Sequence, residues 1–568
     1  MRPQEYLTAL ALVILVLEAT RRAIGPVLPV ICIIFLLHAK FADKFSGILF
    51  APPATFERLA STLLLGSDGV FGITVAIMAQ FVVLFIFFGT LLNESGSGKF
   101  YTRLAFALFG NRTGGPAKAA VVSSAMMGSL SGSSIGNVMT TGAFTIPLMN
   151  RLGYRPSFSG GVEAAASNGG IIMPPVMGAV AFIMAEFLNR SYLEIILAAA
   201  IPALLYYLVI FISVHLEAKK LRLATMDRKD LPSVWPIIKS QGHLVLPLIL
   251  IIVALILGYS IVYVAVVIIA ATFLLALLQK INRMNPVRLI DTIEKTARST
   301  VGLSVTAASA GIIIGAIFVT GLSFQISQAA VDLSGGQLWI LLLIAAIMAL
   351  IMGMGMTASA VYITLLATVI PILVRAGVPD IAAHFFAFYY GIISNITPPV
   401  AFTAFAAAPI AGSTPMKTAL QASRLGAATF LLPICFIYSP ALLLEGSTFE
   451  VISVSFWVFI GLLSLTISLT GYLINNIFLW ERVLFFVAAV LIIFPGEDFK
   501  IYGSVIFLIA LVTSIFYRKK IRDTLLFSDE GTLPVKFNFS FKPLDKFIRK
   551  LSASRVEKVA SQESIVKP

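Results

Sequence analysis

Two stretches decide how this chain folds: SNGGIIMPPVMG at 167–178 and SNITPPVAFT at 394–403. Each places a double proline near the middle of a long apolar run, 160–188 and 381–412, where an unbroken membrane helix would otherwise stand. Proline lacks the amide hydrogen and clashes with the preceding turn, so each pair breaks its helix and frees several carbonyls. Within hydrocarbon, such carbonyls are tolerated only where protein, water or a bound ion satisfies them. Upstream of each break lies another apolar stretch, 118–149 and 337–375, interrupted by small and polar residues: SGSSIGN at 131–137 and GMGMTAS at 353–359. These interruptions predict hairpins that enter the membrane and turn back. Ser133 precedes Pro174 by 41 positions, and Thr357 precedes Pro398 by 41. Each break also begins with Ser-Asn, at Ser167-Asn168 and Ser394-Asn395. The chain thus carries two copies of one unit, a hairpin followed by a broken helix.

The rest of the chain places those units in a membrane. Of 568 residues, 58% are hydrophobic and 12% charged, against roughly 25% charged in soluble domains. Apolar runs long enough to span recur from Leu7 to Phe516. The first is followed by Glu18 and Arg21-Arg22 without a small-residue cleavage site, so it reads as a retained helix rather than a signal peptide. Cys32 and Cys435 lie within apolar spans and indicate no disulfide framework. The net charge of +14 fits basic cytoplasmic loops better than a nucleic-acid face, for which no folded soluble domain is available.

Charge also orients the hairpins. If both turn back, 22 of the 41 lysines and arginines fall in or beside cytoplasmic loops, 12 in the tail from Arg518, and 7 outside. That distribution obeys the positive-inside rule. It opens the first hairpin to the cytoplasm, between Lys118 and Arg151, and the second to the opposite side, between Gln325–Gln337 and Arg375. Two related units of inverted topology are a common plan of secondary transporters.

The expected organisation is therefore an all-α polytopic membrane protein with an inverted repeat, two re-entrant hairpins and two broken helices. Residues 1–70 form N-terminal scaffold helices and 71–240 the first repeat. Residues 241–299 form linking helices, 300–445 the second repeat, 446–517 C-terminal membrane helices, and 518–568 a basic cytoplasmic tail.

The breaks and tips supply the chemistry. Gly169, Gly170, Gly353 and Gly355 let the backbone turn sharply and approach a ligand. Ser131, Ser133, Ser134, Asn137, Asn168, Thr357, Ser359, Asn395 and Thr397 add neutral oxygens and amides. Neutral oxygens beside broken helices suit a hard, weakly held cation such as sodium, and no carboxylate cage of the calcium type is present. Half-helix N-termini aimed at the midplane favour an anionic substrate, typically a carboxylate. Ser134, Asn137, Pro174, Pro175, Thr357, Pro398 and Pro399 are the expected substrate positions. The competing interpretation is that the small residues only let helices pack closely; the duplication of the pattern favours function. Glu163 and Glu186 stand near opposite ends of one span and read as reaching the interface, and His384 as a packing histidine.

Longer strings carry a resemblance. LEATRRAIGPVLP (17–29), SGSSIGNVMTTGAFTIPLMNRLGYRP (131–156), VEAAASNGGIIMPPVMGAVAFIMAEF (162–187), HLEAKKL (215–221), HFFAFYYGIISNITPPVAFTAFAAAPIAGS (384–413) and YSPALLL (438–444) span about residues 17–444. They resemble the large membrane subunit of TRAP (tripartite ATP-independent periplasmic) transporters, most closely the fused 4TM/12TM permeases. The resemblance implies an elevator-type, sodium-coupled carrier in the bacterial inner membrane. It would be fed with organic acids by a periplasmic binding protein of the TAXI type, with sodium between each hairpin tip and its neighbouring break. The C-terminus would be cytoplasmic, lipid would surround the helices, additional small-subunit helices are possible partners, and no organic cofactor is implied. Two departures stand out. Only two spans precede residue 70, fewer than the fused family usually shows, which leaves open a truncated chain or a smaller scaffold. The second break reads SNITPP where Ala-Asp-Val would precede Thr-Pro-Pro, so Asn395 stands where an acidic residue is expected.

A stand-alone sodium–dicarboxylate symporter would share hairpins and inverted repeats without needing a binding protein. An intramembrane enzyme needs a nucleophile–base pair or metal cluster. The four histidines form no HExxH, and neither GxSxG nor a P-loop occurs. Catalysis and ATP-driven transport therefore have no support in the sequence.

Overall fold

The computed structural model describes residues 2–223, 225–279 and 283–524. Among them nine helices are long and apolar enough to cross a membrane: Ile73–Glu94, Tyr192–Lys220, Arg228–Ile256, Ile261–Leu278, Pro286–Thr320, Ala358–Arg375, Pro415–Tyr438, Thr448–Thr470 and Glu497–Ile515. No strand occurs among the described residues; one isolated bridge joins Tyr472 and Asn476. The chain is an all-α polytopic membrane protein.

Helices form here because every backbone group must be satisfied within its own segment when no water is at hand. Side-chain caps complete several ends, as where Ser191 and Ser447 each accept a backbone amide from the glutamate three residues on. Burial sorts the helices into centre and periphery. Only 17% of the apolar stretch of Glu497–Ile515 and 22% of that in Arg228–Ile256 is buried, against 72% in Ala358–Arg375. The outer helices turn leucine, isoleucine and valine outward, the composition lipid requires. The centre holds fully buried aromatics on Asp380–Ile393 and its neighbours, among them Phe385, Phe386, Phe388, Tyr389, Tyr206 and Phe436.

Each repeat unit is built from short pieces. The first hairpin runs out along Gly115–Ser131, turns at Gly132 with φ of 60°, and returns through Ser134–Asn137, one wider turn, and Ala143–Arg151. Its helix Pro156–Gly169 breaks across 173–178 and resumes as Ala179–Phe187. The second hairpin runs Leu338–Gly353, turns through 354–357, and returns as Ala358–Thr368 and Ile370–Arg375. Its helix Asp380–Ile393 breaks across 394–401 and resumes as Phe402–Ala411.

Three helices escape a hydropathy reading, and a fourth runs past the bound expected for it. Phe56–Leu65 and Ser97–Phe109 are amphipathic: Ser97–Phe109 buries Phe100, Tyr101, Ala105 and Phe106 on one side and exposes Arg103 on the other. Leu322–Leu333 occupies much of the segment Gln325–Gln337, which carries no lysine or arginine. Pro286–Thr320 runs 35 residues, so the boundary expected at 299/300 falls inside one helix. It starts where Asn285 accepts the Arg288 amide at 2.8 Å, and its charged first half is stitched by Glu294–Arg298 at 2.7 Å and Lys295–Glu94 at 2.5 Å. At the other end, Glu497–Thr524 crosses the boundary expected at 517/518. The basic tail lies outside the described residues from 525 on, as does Lys280.

Candidate functional site

Glycine lets each hairpin lie directly on its own break. In the first unit, a methyl on Gly128 would stand 2.6 Å from Gly170 Cα, and one on Gly132 would stand 2.5 Å from Gly178 Cα. In the second, a methyl on Gly353 would stand 2.5 Å from the Gly391 carbonyl oxygen and 2.7 Å from Ser394 Oγ. Ser394 uses that proximity, donating to the carbonyls of Gly353 at 2.8 Å and Gly391 at 2.7 Å. Close backbone approach is what small residues provide in membrane interiors.

The units also clasp one another. Thr403, on the resumed half of the second break, donates from Oγ1 to Ser134 Oγ at the first hairpin tip at 2.7 Å. In the converse sense, Ala358–Thr368 of the second hairpin packs on Ala179–Phe187 of the first break. Between the two broken helices, Asn168 Nδ2 donates to the Ile392 carbonyl at 3.2 Å. Asn168 Oδ1 is buried without a protein partner, which leaves an oxygen available to a bound ion or water.

Ser133 and Thr357 hold the same local position. Each precedes the return arm of its hairpin and accepts a backbone amide three residues on, Gly136 at 3.1 Å and Ala360 at 3.4 Å. Both side chains are exposed, so each hydroxyl caps a helix and keeps a lone pair toward open space. Ser134 and Asn137 are buried, and Asn137 Nδ2 donates to the Ser124 carbonyl at 2.8 Å. Ser131 is exposed, its Oγ 3.4 Å from the Ser133 amide. Ser359 and Asn395 are buried, and Asn395 uses its carbonyl to accept the Thr403 amide at 2.9 Å. Thr397 is half-buried and donates to the Ile393 carbonyl at 2.8 Å.

Other expected residues face elsewhere. Gly355, with φ of 83°, lies against Val27 of the N-terminal helix Val27–Phe41, where a methyl would stand 3.0 Å from Val27 Cγ2. Gly169 lies against the ring of Tyr206. Several carbonyls near the breaks are already taken: Tyr192 Oη donates to Pro175 and Val176, both at 2.8 Å, and Ser423 Oγ donates to Ile396 at 2.8 Å. Pro174 and Pro398 are half-buried and Pro399 is exposed. The two Ser-Asn pairs are not structural equivalents. Ser167-Asn168 lies inside the first helical half, whereas Ser394-Asn395 follows the last helical residue of the second. Gly170 is the residue that occupies the place of Ser394, four positions before its prolines.

Ionisable groups divide sharply. Glu186 is exposed, while Glu163 is fully buried and does not reach the interface expected for it. Small neighbours enclose it: a methyl on Gly142 would stand 2.9 Å from Glu163 Cγ. His384 is buried with Nδ1 2.6 Å from Tyr362 Oη, a satisfied packing histidine. The residues that the sequence did not single out are hydroxyls in apolar surroundings: Ser124, Thr141, Thr145, Tyr192, Thr403 and Ser423. Thr141 and Thr145 are spaced i,i+4, as are Glu163 and Ser167, so two polar faces were open to detection.

Comparison with known proteins supplies a frame for this geometry. Residues 11–451 match the family described as "Tripartite ATP-independent periplasmic transporter, DctM component". A C4-dicarboxylate TRAP transporter large permease protein of Pseudomonas aeruginosa is 26% identical over 349 residues, 60% of this chain and 79% of that protein. One of the same description from Vibrio cholerae is 33% identical over 138 residues, covering 24% and 30%. A sialic acid TRAP transporter large permease protein of Vibrio cholerae is 27% identical over 147 residues, covering 26% and 34%.

Proposed function

Since this chain belongs to the DctM family of TRAP transporter large permeases, we propose that it imports organic acids across the bacterial inner membrane, driven by sodium. Substrate would arrive from a periplasmic binding protein of the TAXI type, and small-subunit helices complete the scaffold. The family work is secondary transport with a binding protein, not catalysis. C4-dicarboxylates head the substrates to try, because relatives bear that name.

One observation carries the reading: the contact of hairpin tip with broken helix is made twice, at Gly128–Gly170 and at Gly353–Ser394. Duplicated interruptions of this kind give an inverted-repeat carrier a matched site in each half. The sodium ligands we propose lie at the tips and breaks, around Ser133, Ser134, Asn137 and Asn168 in one half and Thr357, Ser359, Asn395 and Thr397 in the other. The unpartnered Oδ1 of Asn168 and the outward lone pairs of Ser133 and Thr357 support that choice. Substrate carboxylate would meet the half-helix N-termini between the two tips. An elevator movement of the paired units past the N-terminal helices accords with the bare glycine contact at Val27.

The test is uptake of labelled C4-dicarboxylates and other organic acids into vesicles holding the protein, its binding protein and an imposed sodium gradient. Accumulation should follow sodium and need no ATP. Equal accumulation with potassium in place of sodium rejects the coupling ion, and equal accumulation without the binding protein favours a stand-alone symporter.

A further inference from the structure

The sodium sites leave one group unused. Glu163 is buried completely, and four hydroxyls converge on its carboxyl. Oε1 accepts from Ser124 at 2.6 Å, Thr141 at 2.5 Å and Ser167 at 3.2 Å, and Oε2 accepts from Thr145 at 2.5 Å. These donors come from both arms of the first hairpin and from the helix of Glu163 itself. The charged groups on neighbouring elements are engaged elsewhere. Lys118 Nζ lies 2.9 Å from His215 Nδ1, Arg424 pairs with Glu217 at 3.1 Å, and Arg151 and Lys417 are exposed. The phenols of Tyr206 and Tyr207 donate to the Ala165 and Ala166 carbonyls, both at 2.7 Å.

This cage suits a proton better than a metal ion. A hard cation of calcium's size sits about 2.3–2.6 Å from each ligand oxygen, so its ligands stand well apart from one another. Here hydroxyl and carboxyl oxygens touch at 2.5–2.6 Å, which leaves no room between them. Hydroxyl hydrogens rotate and each oxygen both donates and accepts. The same cage therefore gives four hydrogen bonds to a carboxylate, or three to a carboxylic acid that donates the fourth. Fixed backbone amides would serve the charged form alone.

The cage is also wired to the hairpin tip. Thr141 Oγ1 lies 2.9 Å from the Asn137 carbonyl oxygen, Asn137 reaches the Ser124 carbonyl, and Ser134, one turn away, takes the hydroxyl of Thr403. The second unit lacks this cage; its own buried polar pair, Tyr362 with His384, stands at other positions. Pro147 and Pro371, Arg151 and Arg375, and Gly153 and Gly377 each stand 224 positions apart, as do Pro174 and Pro398. In that register Ser124, Thr141, Thr145, Glu163 and Ser167 correspond to Met348, Leu365, Val369, Ala387 and Gly391. The hairpin–helix fold is thus built once without any of the five polar groups, so packing alone does not require them.

We propose that Glu163 is a proton-binding site that takes up and releases one proton in each transport cycle. An O–H bond forms on its carboxyl with a proton from water on one side of the membrane and breaks to water on the other, with no change of oxidation state. The idea rests on the chain being a carrier, but its first test does not. Infrared difference spectra of the detergent-solubilised full chain, stepped from about pH 4 to pH 9, span the range of protein carboxyl groups. A buried-carboxyl band should titrate reversibly, be missing in Glu163→Gln, and have its midpoint displaced by about one pH unit in Thr145→Val, the worth of one hydrogen bond. A band unchanged in Glu163→Gln, or no titrating band in the native chain, overturns the proposal. In vesicles with the binding protein and labelled C4-dicarboxylate, an internal pH dye should report proton entry with uptake in the native chain and none in Glu163→Gln. Uptake without proton movement in the native chain also overturns it. Absence of any uptake counts against the carrier reading, and the infrared titration then decides the proton site.

Discussion

Ser394 donates its hydroxyl to the Gly353 carbonyl at 2.8 Å, at the place in the second unit where Gly170 lies bare against Gly128 in the first. One unit closes this contact with a side-chain hydrogen bond, the other with two glycines. The two halves therefore respond differently to substitution.

Ser394→Ala leaves the Gly353 carbonyl without its donor. The expected loss is about 1–3 kcal/mol, the cost of stranding a buried acceptor. Gly170→Ala should do more harm, because its methyl would stand 2.4 Å from Gly128 Cα with only backbone to move. Thermal unfolding in detergent should rank native, Ser394→Ala and Gly170→Ala in falling order of midpoint. A Gly170→Ala chain as stable as the native one would contradict the contact.

Gly302 gives the opposite sign. It lies within Pro286–Thr320, and the nearest atom to an added methyl is Ile24 Cγ2 at 3.9 Å. Alanine there should leave stability unchanged or raise it by up to about 1 kcal/mol, the helix-propensity difference from glycine. The same unfolding measurement checks it.

Ser133 and Thr357 cap their return arms, so removing either hydroxyl costs about 0.5–2 kcal/mol of stability even without an ion. As sodium ligands they should show a second effect. Ser133→Ala and Thr357→Ala are expected to raise the sodium concentration for half-maximal uptake by about 5- to 150-fold, the equivalent of ~1–3 kcal/mol. Lower stability with an unchanged sodium requirement would reduce both residues to caps.

Arg151 and Gln337 are exposed at the open ends of the two hairpins. Arg151→Cys should react with impermeant thiol reagents from the cytoplasmic side alone, and Gln337→Cys from the opposite side alone. Cys32 and Cys435 are buried, so the native thiols should stay silent. Labelling of both positions from one side would remove the inverted arrangement.

The fold was legible where its signal was interruption. The double prolines at 174–175 and 398–399 remove two successive amides and crowd the preceding turn, and Gly132 turns in the left-handed region, so these interruptions are written in local stereochemistry. Helices that hydropathy hides, such as Ser97–Phe109, owe their stability to one buried face. The charged start of Pro286–Thr320 turns Thr292 and Thr296 inward and pairs Lys295 with a partner as distant as Glu94. The site was legible only as a neighbourhood. Sequence spacing matched Ser133 with Thr357, which proved to share one capping geometry. It paired Ser167-Asn168 with Ser394-Asn395, which differ by one helical turn relative to their prolines. Glu163 was misread because a glutamate near a helix end can extend along the helix toward water. Only the packed structure reveals that Gly142 and four hydroxyls enclose it.

The clasp between Ser134 and Thr403, with Asn168 reaching Ile392, makes the two halves answer to each other. The first tip cannot lift away without breaking its polar bond to the opposite half, and the broken helices cannot part without losing the Asn168 bond, so loosening at one end is felt at the other. Where the second tip meets the N-terminal helices, by contrast, Gly355 offers Val27 only bare backbone, a surface with nothing to catch on. Cohesion lies inside the clasped pair and slipperiness at its rim, so a shear there would cost less than any parting of the halves.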